Sequence, residues 1–300
     1  MSSPPLISTG HVEPIFLSVR KHFPFRQVAA AVVALLLVAI AAVVVSRNQI
    51  IEWSQIPAYM LDPSILGGLL LTLELTVCAM AIGIALGAGL AAMAISRNPV
   101  LQAMASVFVW CFRGVPLIVQ IFFWFNIALF VPDIRLAGTV ISVNAIVTPA
   151  VAGLLALGLH EAANMAEVIR AGLLSVDVGQ HEACRALGLT PGKALRNIVL
   201  PQAIRVIIPP TGNQAIGMLK ASAIVSVIGM EDLLTRAQHI YARNFLVIEL
   251  LIVASIWYLV LTTLAGIGQH YLERHFARGF SRRRPLKAKP PSPSLNLISR

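Results

Sequence analysis

Apolar positions in this chain gather into runs of membrane-crossing length. Residues 28–45 form eighteen positions without a charge. A second run spans 65–95, broken only by Glu74, and a third spans 100–131, interrupted by Arg113, Gly114 and Pro116. The fourth covers 140–159, the fifth 206–230 with Lys220 inside it, and the sixth 245–269. Each can cross a hydrocarbon core of roughly 30 Å, some with tilt to spare. Without water, a helix satisfies its own backbone. The pattern therefore predicts an all-α integral membrane protein with six transmembrane helices. A signal peptide is the rival reading of the first run, but its basic lead would be unusually long and "VVVSRNQ" offers no small-x-small cleavage site.

Composition agrees with spans rather than one soluble core: the chain is 57% hydrophobic and 12% charged, about half the charge of a soluble domain. The net charge of +10 raises nucleic acid as a partner, a reading the distribution rejects. Eight of the 23 Lys and Arg lie in the tail at 270–300, most others flank apolar runs, and no basic helix with interleaved aromatics is present. Counting Lys and Arg instead sets orientation. With the amino terminus inside, the inside segments hold eighteen and the outside segments four: Arg47, Arg135, Arg236 and Arg243. Both termini and the long central loop are expected in the cytoplasm. Cys78, Cys111 and Cys184 show no spacing that suggests a disulfide framework or a zinc site.

The expected organisation is a cytoplasmic arm at 1–27, an extra span and external loop at 28–64, a five-span domain at 65–273 and a basic, disordered cytoplasmic tail at 274–300. The polar loop from about 160 to 205 is too long for a simple connection. Val176, Ala183 and Leu187 fall on one helical face, with Gln180, Glu182 and Arg185 away from it. Gly188 suits a helix C-terminus. Thr190 and Pro191 restart a helix as N-cap and first residue, Leu195, Ile198 and Val199 make its apolar face, and Pro201 ends or kinks it. Pattern alone is satisfied by an amphipathic pair resting on lipid headgroups.

The residues of this loop carry a resemblance. "EACRALGLTPGKALRNIVLPQA", residues 182–203, resembles the EAA loop of permease subunits of bacterial ABC importers: Glu182, Ala183 and Cys184, then Gly188, then Ile198, Leu200 and Pro201. Cys184 stands where alanine is usual. "RGVPLIVQ" at 113–120 and "AEVIRAGLLSVDVGQHEA" at 166–183 are similar to segments of the polar amino acid branch, as is "LKASAIVSVI" at 219–228, although Ala221 and Ala223 stand where Asp and Ser are usual. The resemblance covers about 65–273 and implies a type I importer fold. It also implies that the loop is a coupling helix seated in a groove on a cytoplasmic ATPase, with Glu182, Ala183, Gly188, Leu189, Leu200 and Pro201 at the contact. Glu182 and Arg185 would be polar handles, and Leu187 and Leu189 apolar anchors. The implied partners are ABC ATPase subunits that carry ATP and magnesium, an extracytoplasmic solute-binding protein, a second permease copy or paralogue, and a polar amino acid substrate. The implied location is the bacterial cytoplasmic membrane.

Four polar residues are candidates for the substrate path. Glu74 either lines it and meets an amino group or sits near the outer interface in water. Lys220 either pairs with Glu74 or a substrate carboxylate, or snorkels. Gln120 and Asn126, beside the aromatics 122–125, either face a pathway or pack in the core. Gly83-x-x-x-Gly87 allows close helix approach. "HEAAN" at 160–164 lacks the second histidine of a zinc protease helix. No phosphate-binding Gly-x-x-x-x-Gly-Lys-Ser/Thr loop and no complete catalytic constellation is present, so the chain is read as a transport subunit rather than an enzyme, with no cofactor of its own. An ion-coupled secondary transporter is the alternative, disfavoured because no repeated halves are found; an intramembrane enzyme ranks below it.

Overall fold

The structure is a computed structural model that describes residues 25–47, 51–136 and 139–277. The expectations for an arm at 1–24 and a tail at 278–300 lie outside the described residues. The chain divides into two compact units, residues 1–51 and 52–300. The first unit contributes one helix, α1 (Phe25–Ser46), uncharged from Val28 onward. It begins inside the segment expected to be arm.

The second unit opens with α2 (Gln55–Met60) and the long α3 (Pro63–Ala94). Asp62 caps α3, its Oδ1 accepting from Ser64 N–H at 2.8 Å, and Pro63 occupies the first turn, where a missing N–H costs nothing. Asn98 and Pro99 start α4 (Pro99–Gly114) in the same way. The third apolar run is not one straight span. It breaks at Gly114–Pro116 and turns by 101° into α5 (Leu117–Phe125), because proline forces Val115 into extended backbone.

The fourth run is also placed differently. A short turn at Ile127–Leu129 leads to a hairpin, β1 (Asp133–Leu136) and β2 (Thr139–Ser142), antiparallel with Asp133 opposite Ser142 and Leu136 opposite Thr139. After α6 (Val143–Ile146), Thr148 and Pro149 start α7 (Pro149–Leu174). The first residues of the run are thus strand and turn, and the helix continues fifteen residues past Leu159, through what the sequence reads as the start of the polar loop. That extension is buried at Glu161, Ala162, Ala163, Met165 and Ala166, which explains why hydropathy alone stops short of it.

The loop proper is α8 (Val178–Ala186), then α9 (Pro191–Ala194), a π turn at Leu195–Val199 and α10 (Leu200–Ala221). A 3-10 segment (Ser222–Ile228) ends at Gly229 with φ +71°, so the fifth run is not a single helix. α11 (Leu233–Asn244) and α12 (Val247–Ala277) complete the unit, and α12 runs past residue 273. Among the described residues, α3 and α12 are long and apolar enough to cross a membrane by themselves, and the bent α4–α5 pair passes the same test as a unit.

The centre of the second unit is the contact between α3 and α7. Gly158 faces Ile82, Gly83 faces Glu161, and Gly87 faces Met165 and Ala166, so the two helices run parallel. A methyl group added at Gly83 would lie 2.6 Å from Glu161 Cγ; one at Gly87 would lie 2.7 Å from Met165 Cβ and 2.9 Å from the Ala166 nitrogen. In lipid, helices gain little from burying apolar surface against each other, so close backbone approach through small residues supplies the attraction. At the other end of α3, Ile65 packs with Ile56, Leu233, Leu250 and Val253. There Thr72 Oγ1 donates to Gly68 O at 2.9 Å and accepts from Leu233 N–H at 3.1 Å.

Gly87→Ala should separate α3 from α7, because the clash is partly with backbone that cannot rotate away; the expected loss is about 1–3 kcal/mol. Gly89→Ala is the control, since nothing lies within 4 Å of that position. A lowered melting temperature of the purified membrane protein for Gly87→Ala alone is the expected result.

Candidate functional site: the 179–205 loop and the polar positions of the spans

Asp177 starts α8 by accepting from Gly179 N–H at 2.7 Å. The helix ends on Gly188, whose φ of +66° is left-handed. Leu189 N–H donates to Cys184 O at 3.0 Å and Gly188 N–H to Arg185 O at 3.0 Å. These paired bonds are the Schellman closure that a glycine after the helix end permits. Thr190 takes extended backbone and Pro191 the first turn of the next helix, as the sequence suggests, although the Thr190 side chain makes no capping bond.

The helix does not end at Pro201. Pro201 lacks an N–H and its ring conflicts with the carbonyl four residues back. The turn before it widens instead, with Leu200 N–H donating to Leu195 O, and the chain continues helically to Ala221.

The buried face of α8 differs from the expected one. Cys184 and, just before the helix, Val176 are buried, with His181 half-buried, whereas Ala183 and Leu187 are exposed, Leu187 by 77%. Val176 joins Val199 and Ala203 in a small core with Leu173 and Ile207. Gly172 of α7 lets Ile207 of α10 approach so closely that a methyl there would overlap it. The loop is thereby fixed to the ends of α7 and α10. Glu182, Ala183, Gly188, Leu200 and Pro201 are exposed, and Leu189 is half-buried. Among the described residues Glu182 has no side-chain hydrogen bond or ion pair. Between α8 and the following helix lies a concavity of about 360 Å³, with Arg97 at its edge beside His181, Cys184, Arg185 and Leu195.

The span candidates are scattered. Glu74 and Lys220 are exposed and, among the described residues, form no ion pair with each other or with another group. Asn126 is exposed and donates to Phe122 O at 2.8 Å. Gln120 is buried and braces the α4–α5 bend, its Nε2 donating to Phe112 O and Val115 O, each at 2.8 Å. His160 Nδ1 lies 3.0 Å from the same Phe112 O. Sequence reasoning weighed His160 and Glu161 only as a protease fragment. The structure makes His160 part of the bend and seats Glu161, 2% exposed, beneath Gly83. The Gly83 spacing was the available signal for that contact.

Residues 81–278 match the family described as binding-protein-dependent transport system inner membrane components. The arginine transport system permease protein ArgU of Corynebacterium glutamicum is 39% identical over 93% of this chain and 88% of its own length. The probable glutamine ABC transporter permease protein GlnM of Bacillus subtilis is 36% identical over 70% of this chain and 91% of its own. Among solved structures, one described as an amino acid ABC transporter with histidines is 36% identical, with a TM-score of 0.66, covering 75% of this chain and 99% of that one. A chain of the MetNI methionine ABC transporter, 20% identical with a TM-score of 0.59, shares the fold over 71% of this chain and 96% of that one.

The left-handed turn yields a direct test. Nothing lies within 4 Å of Gly188, so a side chain there meets only backbone strain, about 1 kcal/mol or more and largest for β-branched residues. Gly188→Val should loosen the turn and speed tryptic cleavage after Lys193 and Arg196, while Gly188→Asn, which tolerates the left-handed region, should leave the cleavage rate near that of the wild type.

Proposed function

The chain belongs to the family of binding-protein-dependent transport system inner membrane components, and from that premise we propose that it is the permease subunit of an ATP-driven importer of polar amino acids, coupled to a separate ATPase by the loop at 179–205. The names of its relatives support the substrate class: they include arginine and glutamine permeases that cover most of this chain. The single observation that carries the coupling role is the exposed polar edge of α8. Glu182 is unpartnered among the described residues, and Ala183 and Leu187 are exposed while Cys184 is buried. A helix merely resting on lipid would turn its apolar residues to the membrane; here the buried residue of α8 is Cys184, and the chain just before the helix is held by Val176 packed with Val199 and Ala203.

In this reading ATP and magnesium stay on the ATPase. Closure of its dimer displaces α8, and the shared core of Val176, Val199 and Ala203 passes that displacement to α7 and α10. A solute-binding protein delivers the amino acid from outside, and a second permease copy or paralogue completes the path. The exposed faces of α3 at Glu74 and of α10 at Lys220 are candidates for that path, because a charged side chain exposed on a lone subunit within a span needs water or protein beside it in the membrane. Asn126 and Gln120 remain candidates near the bend. The six-span arrangement with both termini in the cytoplasm, and the division into arm, extra span, importer domain and tail, complete the proposal.

Two measurements test it. On one reconstituted sample with ATPase and binding protein, Glu182→Ala should weaken ATPase co-purification about ten- to hundredfold, corresponding to a charge-assisted bond of about 1.5–3 kcal/mol. In the same assay Glu74→Gln should impair uptake while leaving basal hydrolysis and assembly nearly intact. Normal uptake and normal co-purification for Glu182→Ala would return the loop to the lipid surface. Reporter fusions after Gln27 and Arg300 should both read cytoplasmic; an external signal from either removes the six-span arrangement.

A further inference from the structure

The end of the molecule opposite the coupling loop carries a second exposed polar cluster. α3 fixes the geometry: its first turns touch Asp232 and Leu233 at the start of α11, while Arg97, just past its last turn, edges the concavity of the coupling loop. A helix of 32 residues separates these ends by about 48 Å. With the coupling loop on the cytoplasmic side, α11 lies at the external surface.

α11 is amphipathic. Leu233 and Ala237 are buried against α3 and α12, and its polar side borders a recess of about 300 Å³ that includes Tyr59, Asp62, Arg236, His239, Arg243 and Asn244. Most polar groups there are already engaged. Arg236 Nε pairs with Glu231 at 2.7 Å, and His239 Nδ1 lies 3.6 Å from the same carboxylate. Asp62 is committed to its capping bond and Asn244 Nδ2 donates to Tyr59 OH at 2.9 Å. Arg243 is exposed and, among the described residues, its side chain has no ion-pair partner. Two residues on, Phe245 is held at φ +62°, a conformation costly for an aromatic residue, with 84% of its surface exposed. The turn is over-determined: Phe245 N–H donates to Tyr241 O at 2.8 Å, Leu246 N–H to Asn244 Oδ1 at 3.0 Å and Val247 N–H to Phe245 O at 2.9 Å. Local structure thus presents an aromatic ring outward beside a free guanidinium.

We propose that this tip, Arg243 with Phe245 beside the recess, is a docking point for an acidic patch on the lobe of the solute-binding protein. The proposal rests on the importer reading above. Arginine and aromatic side chains supply a disproportionate share of binding energy at protein interfaces, and an uncompensated cation selects an acidic counterpart. A lipid headgroup is the competing occupant of the same charge, and the vesicle-composition outcome below separates the two.

The test uses the complete complex with its ATPase in nanodiscs, titrated with the liganded solute-binding protein that stimulates hydrolysis by the wild type. Arg243→Glu should raise the half-stimulating concentration at least tenfold and flatten its dependence on ionic strength. Phe245→Gly, which keeps the left-handed turn without strain, should raise that concentration severalfold while leaving maximal stimulation and basal hydrolysis unchanged. Unchanged titrations for both variants overturn the proposal. A Phe245→Gly effect confined to thermal stability or to vesicle composition assigns the ring to lipid and overturns it as well. If no solute-binding protein stimulates the wild type, the importer reading fails, and the proposal with it.

Discussion

The parallel contact of α3 with α7 is the constraint on which the rest of the second unit depends. Its attraction comes from distance rather than from exclusion of water, so it requires the absence of side chains at Gly83, Gly87 and Gly158. That requirement fixes register: a shift of one residue would place a Cβ where a glycine now stands. Because α3 carries α11 at one end and leads to Arg97 beside the 179–205 loop at the other, the same register sets where both proposed surfaces sit.

At the loop end, firmness and exposure are divided between neighbouring residues. Val176, just before α8, packs with Val199 and Ala203, and Cys184 is buried on the helix, while Glu182, Ala183 and Leu187 are exposed. The coupling role proposed for this loop needs both properties. A loop held only by its two ends would absorb displacement as local bending. One held by a small packed core transmits it, since packed side chains cannot compress by more than a fraction of their contact distance.

Much of this was legible in the sequence where a residue type has a single structural use. Gly188 announced a left-handed turn, Pro191 a helix start, and the EAA-type spacing a family. The misread parts share another cause. Hydropathy treats a run of apolar residues as one helix, but Pro116 bends the third run, and strand β2 and the turn to Pro149 take up the start of the fourth. Glu161, Glu167 and Arg170 made the second half of α7 look like loop, although a helix surrounded by protein tolerates polar residues that a lipid-facing one does not. The pairs Asp62–Pro63, Asn98–Pro99 and Thr148–Pro149 mark three true helix starts and were the signal that hydropathy overrode. The inward face of α8 was assigned to Ala183 and Leu187 because apolar character was equated with burial; on this helix both are exposed and Cys184 is the buried residue.

The π turn at Leu195–Val199 has a further consequence for how this segment tolerates change. A single π turn holds one residue more than an α turn and so acts as an insertion absorbed without a loop. From its last residue onward, Val199, Ala203 and Ile207 follow one another at four-residue intervals in the core shared with α7. Its first residue, Leu195, is exposed, whereas Val199 is buried. Loss of one residue from the turn would let the ordinary ladder re-form and would swing everything before it by about 100° around the helix axis, sending α8 and its exposed edge to a different side of the molecule. The length of this segment is therefore as much a part of its specification as its composition.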